Sequence, residues 1–177
     1  QWPFVHGIVE RSADSVVAEC HLHPLAHGFL RDHVLYTAHV SDVDPSLQGL
    51  TVVPRAVSLE LLAEAAAVNC TLPYLSLIEN VRAHNWITLD GGPRTLTLSA
   101  RRISDDDTGE RFAARVSDGH NTLIEGDVVF ASAPLGEHAA VEDLGDGYAP
   151  LTADDQLYST GMFHGPLFQS MGRLVCW

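Results

Sequence analysis

A chain of 177 residues with a formal net charge of −13 at pH 7 has room for one domain of ordinary size and is a poor match for nucleic acid, which is bound by clustered Lys and Arg. Apolar residues make up 46% of the chain, which favours a packed core, but no apolar run approaches the roughly 20 residues of a membrane helix. The first residues lack the basic start and apolar segment of a signal peptide, and three scattered cysteines do not form a disulfide framework, so we expect a cytoplasmic protein.

The first half of the chain is predicted to contain two strands and one long helix. Residues 4–22 form two strand-like stretches around a polar turn, and the Asp-rich residues 37–48 have the composition of a loop. A helix is predicted to begin at Pro54, where proline is well tolerated, and to continue through strong helix formers. Few of its positions are polar apart from Glu60 and Glu64, so we expect a broad surface such as a curved sheet to enclose it.

The residues after the helix are predicted to form antiparallel strands, because several stretches alternate with a period of two and are separated by hairpin-type turns. The predicted strands are residues 78–83, 85–89, 95–102, 111–118 and 121–130, and the predicted turns are residues 90–93, 105–109 and 118–121. Strands, one buried helix and then several antiparallel strands are typical of the α+β hot-dog fold, in which a sheet wraps around a central helix.

Histidine is the unusual chemical resource of this chain, since ten occur and five of them lie between positions 21 and 39. No HExxH pattern or cysteine pair completes a ligand set, so we predict no metal site. We interpret four of the five as exposed or hydrogen-bonded structural residues, namely His21, His23, His27 and His39.

The fifth, His33, is distinguished by the residues that follow it. It precedes Gly49, Val53 and Pro54, the last of which stands at the predicted start of the helix. This arrangement resembles the dehydratase motif of polyketide synthases, a histidine followed by Gly-x-x-x-x-Pro and a helix. Residues 53–66, together with Arg82 and Trp86, look closest to dehydratases of iterative synthases of the enediyne type.

A second motif occurs near the end of the chain. Residues 158–169, which contain Gly161, Gly165 and Pro166, are similar to the family's Gly-x-x-x-Gly-Pro-x-Phe signature, which opens a second hot-dog unit. The resemblance therefore implies the first half of a double hot-dog. We expect a first hot-dog unit at residues 1–133, a linker at residues 134–152 and the start of the second unit at residues 153–177.

Three departures from the family pattern are visible. The glycine that usually follows the histidine after four residues is replaced by Thr37, and Gly49 comes only after an insertion. His164 stands before the second Gly-Pro, where the family often has tyrosine. The family's catalytic aspartate lies deeper in the second unit, beyond Trp177, so the resemblance predicts that residues 1–177 alone are inactive.

The resemblance implies elimination of water from a β-hydroxyacyl thioester, which an acyl carrier protein presents on its phosphopantetheine arm. His33 is the expected general base, because imidazole is basic and largely uncharged near neutral pH. No metal or redox cofactor is implied, and a homodimer is left open. The residues expected to bind substrate are Gly49, Val53, Pro54, Tyr158, His164, Gly165 and Pro166.

Hydrogen-bond donors are also needed where enolate charge develops on the thioester oxygen. The backbone N–H groups of residues 49–53 and of the first helical turn are the predicted donors. Tyr158 and His164 are candidates for holding the hydroxyl group. Carrier proteins are themselves acidic as a rule, so docking would need a local basic patch, for which the candidates are Arg55, Arg82, Arg101 and Arg102.

Three alternatives remain open. A product-template-like cyclase on the same fold also uses a His–Asp pair, and a non-catalytic hot-dog module would bind acyl chains or act as a scaffold. A hot-dog thioesterase would use a carboxylate on the central helix to activate water. We expect instead that Glu60 and Glu64 face solvent or an interface and that Asp32 orients its loop or caps it.

Overall fold

The computed structural model describes residues 2–35, 42–44, 47, 49–89, 92–106, 109–134, 136 and 166–168. Within them, six antiparallel strands form one sheet in the order β1-β2-β6-β7-β8-β5, and β3 pairs with β4 in a separate two-stranded ladder. The strands are β1 (Gly7–Arg11), β2 (Ser15–Leu22), β3 (Val34–Leu35), β4 (Leu50–Thr51), β5 (Tyr74–Ala83), β6 (Arg94–Asp106), β7 (Gly109–Ser117) and β8 (Thr122–Ala131). One α-helix, α1 (Arg55–Ala67), and two 3-10 helices, Gly28–Asp32 and Pro166–Phe168, complete the described elements.

Helix α1 packs against the inner face of the six-stranded sheet, as the hot-dog prediction requires. Its side chains at Leu61, Leu62, Ala65 and Ala66 are fully buried. The strands supply the opposite side of the core by alternation, since every second residue of β2 from Val16 onwards faces the helix. The predicted helix start and the antiparallel character of the later strands are confirmed.

Two strand boundaries and one whole strand differ from the predictions. Strand β5 starts earlier than residue 78, and the β6–β7 ladder continues to the Asp106–Gly109 pair, so most of the predicted turn at residues 105–109 is strand. Gly109 has a φ of 139°, and a Cβ atom there would lie 2.1 Å from the Phe130 carbonyl oxygen, so only glycine fits. Gly109, which the sequence suggested as a turn residue, is instead required by the close approach of β7 and β8.

The predicted strand at residues 85–89 is wrong. These residues form a single bridge, Thr88 to Val52, rather than a ladder. The Val53 N–H donates to the Ile87 carbonyl oxygen at 2.8 Å, and the Leu89 N–H donates to the Thr51 carbonyl oxygen at 3.0 Å. Their apolar alternation comes from packing beside the β4–α1 connection instead of membership of the sheet.

The end of α1 is held by a buried ion pair. Arg102 pairs with Glu110, of which only 3% of the side chain is exposed, and donates to the Asn69 carbonyl oxygen at 2.9 Å. Glu110 in turn accepts the backbone N–H of Thr71 at 3.1 Å. Arg102 was a candidate for carrier docking; that prediction is wrong because its guanidinium group is committed to this internal network.

The described part of the chain contains no helix with both the length and the apolar character needed to cross a bilayer.

Candidate active site

His33 lies where the first 3-10 helix ends and β3 begins. Its own N–H donates to the Leu30 carbonyl oxygen at 3.3 Å, which closes the last turn of Gly28–Asp32. Its carbonyl oxygen accepts the N–H of Val52 at 3.1 Å, which continues the β3–β4 ladder by one step. This ladder brings His33 beside Val52, two residues before Pro54, although an Asp-rich stretch separates them in sequence.

The imidazole ring is oriented by the main chain. Nδ1 of His33 lies 2.8 Å from the carbonyl oxygen of Val52. A carbonyl oxygen only accepts, so Nδ1 carries the hydrogen in this contact, and Nε2 is the basic nitrogen of the neutral ring. The hydrogen bond to the Val52 carbonyl oxygen therefore sets the tautomer of the neutral His33 ring.

His33 is half-buried and lines a cavity of about 300 Å³ at the start of α1. Apolar side chains form most of its wall, and Trp86 stands at its edge with 63% of its surface exposed. The lining residues are His33, Leu35, Val52, Val53, Arg55, Ser58, Ala83, Asn85, Trp86, Ile87 and Ile124. An apolar cavity with a few polar groups suits a mainly aliphatic ligand with one reactive centre.

Most of the lining residues were not predicted as site residues, among them Ser58 and Arg55, the latter having been named only as a candidate for carrier docking. Arg55 and Ser58 are three positions apart on α1 and therefore share a face of its first turn. Ser58 is buried, and its hydroxyl donates to the Pro54 carbonyl oxygen at 3.3 Å. Polar residues are common in the first turn of a helix, so the sequence alone carries no signal that singles out these two.

The predicted substrate-binding residues of the first motif separate into two groups. Val53 lines the cavity, whereas Pro54 is a buried N-terminal cap of α1, with a φ of −57° and a ψ of 145°, and does not line it. Gly49, just before β4, does not line the cavity either. Pro54 therefore determines where α1 begins and is not part of the cavity wall.

The predicted donors for enolate charge need a correction. The Val52 N–H donates to His33 and the Val53 N–H to Ile87, so both groups are already used within the chain. The first N–H groups of a helix have no partner within the helix, and those of α1 lie where Arg55 and Ser58 face the cavity. The helix start is therefore the better candidate.

The second motif is described only at residues 166–168, so Tyr158, His164 and Gly165 lie outside the described residues. Pro166 is exposed and begins the second 3-10 helix. The N–H of Leu167 donates to Oδ2 of Asp32 at 2.8 Å. Asp32 precedes His33 directly, so this bond brings the two motifs together and fits the expected loop-orienting role of Asp32.

The other described histidines of this region make local contacts. Nδ1 of His6 accepts the His21 N–H at 3.1 Å, Nδ1 of His27 accepts the His23 N–H at 3.2 Å, and His27 stacks on Phe4 with ring centroids 5.7 Å apart. Among the residues that the structure places, no three His, Cys, Asp or Glu side chains form a group that could hold a metal ion. His39 lies outside the described residues.

Glu64 lies inside the described structure and faces neither solvent nor an interface, so that prediction is wrong. Only 2% of its surface is exposed, and Oε2 accepts the N–H groups of Phe4 at 2.8 Å and Val5 at 3.1 Å. Burial raises the pKa of the Glu64 carboxyl above its ordinary value, against the lowering effect of these two bonds. Glu60 is exposed as expected, and neither carboxylate lines the His33 cavity.

No protein-family model matches this chain, and no curated protein matches it at a significant level. Solved structures do match. The dehydratase domain of the CurF module of curacin polyketide synthase has a TM-score of 0.65 at 14% identity, over 98% of this chain and 61% of that one. The dehydratase domain of PpsC from Mycobacterium tuberculosis, in complex with C12:1-CoA, has a TM-score of 0.60 at 23% identity, over 99% and 59%.

A third match is the dehydratase domain from the terminal module of the rifamycin polyketide synthase, with a TM-score of 0.60 at 18% identity, over 94% of this chain and 57% of that one. The chain thus spans about three fifths of the length of these structures. Their low identity makes this a likeness of fold. The described residues have the hot-dog fold that polyketide synthase dehydratase domains share, and this chain resembles one hot-dog half.

Proposed function

We propose that this chain is part of a polyketide synthase dehydratase that removes water from a β-hydroxyacyl thioester carried by an acyl carrier protein. The observation that carries the proposal is His33, whose Nδ1 is bonded to the Val52 carbonyl oxygen while its side chain lines an apolar cavity at the start of α1. The resemblance of residues 53–66 makes an iterative, enediyne-type synthase the proposed setting.

The reaction needs a base at the α-carbon and an acid at the β-hydroxyl. Nε2 of His33 takes the Cα proton, and charge develops on the thioester oxygen, where the first N–H groups of α1 stabilise it. The Cβ–O bond then breaks as an acid protonates the departing hydroxyl, which leaves as water and yields the α,β-enoyl thioester. The proton on His33 passes back to the conjugate base of that acid.

We assign the acid to an aspartate beyond residue 177, in the second hot-dog unit that residues 153–177 begin. The bond between Leu167 and Asp32 supports this arrangement, because it joins the start of that unit to the residue before His33. Apolar side chains such as Leu35, Val52 and Ile124 would contact the acyl chain and keep water from the enolate. No metal or redox cofactor takes part in these steps.

The test uses the chain extended by the second unit and a β-hydroxyacyl carrier protein thioester, with loss of one water followed by mass spectrometry. His33→Ala should lower the rate by about a hundredfold or more, the scale of general-base catalysis. His120→Ala is the matched control, since His120 is exposed in the β7–β8 turn and should leave the rate unchanged.

Other outcomes decide against the proposal. A cyclised aromatic product instead of the enoyl thioester would assign the site to a cyclase. Equal measurable rates for wild type and His33→Ala would exclude His33 as the base, and binding of the acyl carrier without any loss of water would point to a non-catalytic acyl-binding module. Turnover by residues 1–177 alone would place the acid within this chain and contradict the assignment to a second unit.

A further inference from the structure

A second cavity, larger than the one beside His33, lies on the outer face of the six-stranded sheet. It has a volume of about 560 Å³ and crosses β2, β6, β7, β8 and β5. Small side chains such as Ser99 and Ala113 form its floor, and three arginines, Arg82, Arg101 and Arg115, line it. We call it the arginine groove.

Strand register explains how the groove arises. In one row across the sheet, Ser99 pairs with Arg115, Arg115 with Glu125, and Glu125 with Arg82. In the next outward-facing row, Arg101 pairs with Ala113. Long arginine side chains therefore alternate with small ones on neighbouring strands and stand above a shallow floor.

The charges of the groove are only partly neutralised. Arg115 has an ion pair with Glu125 at 3.3 Å, with 56% and 30% of the two side chains exposed. Asp127 accepts a hydrogen bond from Asn80 at 2.8 Å. Arg82 and Arg101, in contrast, are exposed and have no ion pair or side-chain hydrogen bond among the described residues. The three arginines of the lining exceed its two carboxylates, Glu125 and Asp127, by one positive charge, in a chain with a formal net charge of −13.

The spacing of these two arginines favours a helix as ligand. Arg101 and Arg82 are separated by three strand spacings and two residues along the sheet, or about 16 Å between Cα atoms. Three turns of an α-helix cover about 16 Å, so two carboxylates three turns apart on one face of such a helix match the positions of Arg101 and Arg82. A single phosphate would require both side chains to lean towards each other across the floor.

The groove also adjoins the proposed active site. Arg82 and Ala83 are consecutive at the end of the edge strand β5, and they point to opposite faces of the sheet. Arg82 lines the groove, whereas Ala83 lines the His33 cavity together with Asn85 and Trp86. A protein docked in the groove would therefore sit one strand edge away from the cavity.

We propose that the arginine groove docks an acidic helix of the acyl carrier protein, so that the phosphopantetheine arm passes around the end of β5 into the His33 cavity. The carrier as occupant rests on the proposed function. The groove itself rests on the charge, spacing and register described above.

The test measures binding of the holo acyl carrier protein of the same synthase by calorimetry, independently of turnover. Arg82→Gln/Arg101→Gln should raise Kd by about tenfold, because it removes two exposed charge contacts. The control Ser132→Glu/Ala133→Glu adds the same two units of negative charge at exposed positions beyond β8 and should leave Kd within about twofold. Thermal melting verifies that both variants are folded.

Three results overturn the docking proposal. The first is an equal Kd for wild type and the double arginine variant, and the second is equal weakening of binding by both variants. The third is a dimer of this chain that dissociates in the arginine variant, which would identify a second copy as the occupant of the groove. Because binding is measured without catalysis, the experiment distinguishes an incorrect docking proposal from an incorrect dehydratase proposal. A carrier that binds in the groove but whose β-hydroxyacyl group never loses water contradicts only the proposed function.

Discussion

The sheet with α1 and the segment that carries His33 are built in different ways. In the first, a continuous ladder of six strands encloses helix side chains that are fully buried. In the second, two strands of two residues each and a short 3-10 helix place half-buried residues at a cavity. The comparison separates a scaffold, where packing determines position, from a site, where a few hydrogen bonds do.

The largest expected effect breaks the scaffold. Leu61→Ala should lower the free energy of unfolding by about 2–5 kcal/mol, because it opens a void between α1 and the sheet. Leu35→Ala in β3 should lower it by less than about 1 kcal/mol, since Leu35 is only half-buried. Urea unfolding of both variants measures the contrast, and equal losses would show that the site segment is as tightly packed as the core.

A smaller effect concerns the junction of α1 with residues 4 and 5. The folded-state pKa of Glu64 is raised by burial, so the folded protein binds more protons than the unfolded chain between the two pKa values. Stability from this group is therefore present below the unfolded pKa and is lost as pH rises through the folded pKa. Glu64→Gln should remove that loss.

The measurement is the unfolding free energy of wild type and Glu64→Gln at several pH values from 4 to 7. The difference should move in favour of the glutamine variant as pH rises. Glu10→Gln, an exposed position on β1, is the control and should show no such trend. A difference that is flat with pH for Glu64→Gln would mean that its carboxylate is as well solvated as an exposed one.

The smallest expected effect concerns the contact between the two motifs. Asp32→Ala removes the acceptor of the Leu167 N–H and should change global stability by less than about 1 kcal/mol, since this bond is exposed. Hydrogen exchange at the Leu167 amide should become clearly faster. Arg31→Ala, at the neighbouring exposed position, should leave that exchange rate unchanged. An unaltered rate in Asp32→Ala would show that Asp32 does not bind the Leu167 N–H.

Periodicity was sufficient to predict the scaffold, because burial against a sheet leaves a regular pattern in β2, α1 and the later strands. It failed at residues 85–89, where Ile87 and Leu89 are buried by one bridge to the β4–α1 connection. The prediction for Glu64 failed for another reason. Glutamate is usually exposed, but two backbone N–H groups from a distant segment hold this carboxylate inside.

Of the residues predicted for the first motif, His33 and Val53 line the cavity, whereas Gly49 and Pro54, which the motif names directly, do not. The partners of the Val52 and Val53 amides depend on which backbone groups meet after folding, and residue identity carries no information about that. Ser58 was missed for a related reason. A serine in the first turn of a helix is common, and only the position of the cavity gives it significance.

The contact between His33 and the Val52 carbonyl oxygen has a consequence for engineering. Every amino acid has that oxygen, so exchanging the side chain at position 52 reshapes the cavity wall without removing the group that sets the imidazole hydrogen. We therefore expect substitutions at position 52 to alter the acyl-chain preference of the proposed dehydratase and to leave the orientation of the proposed base unchanged.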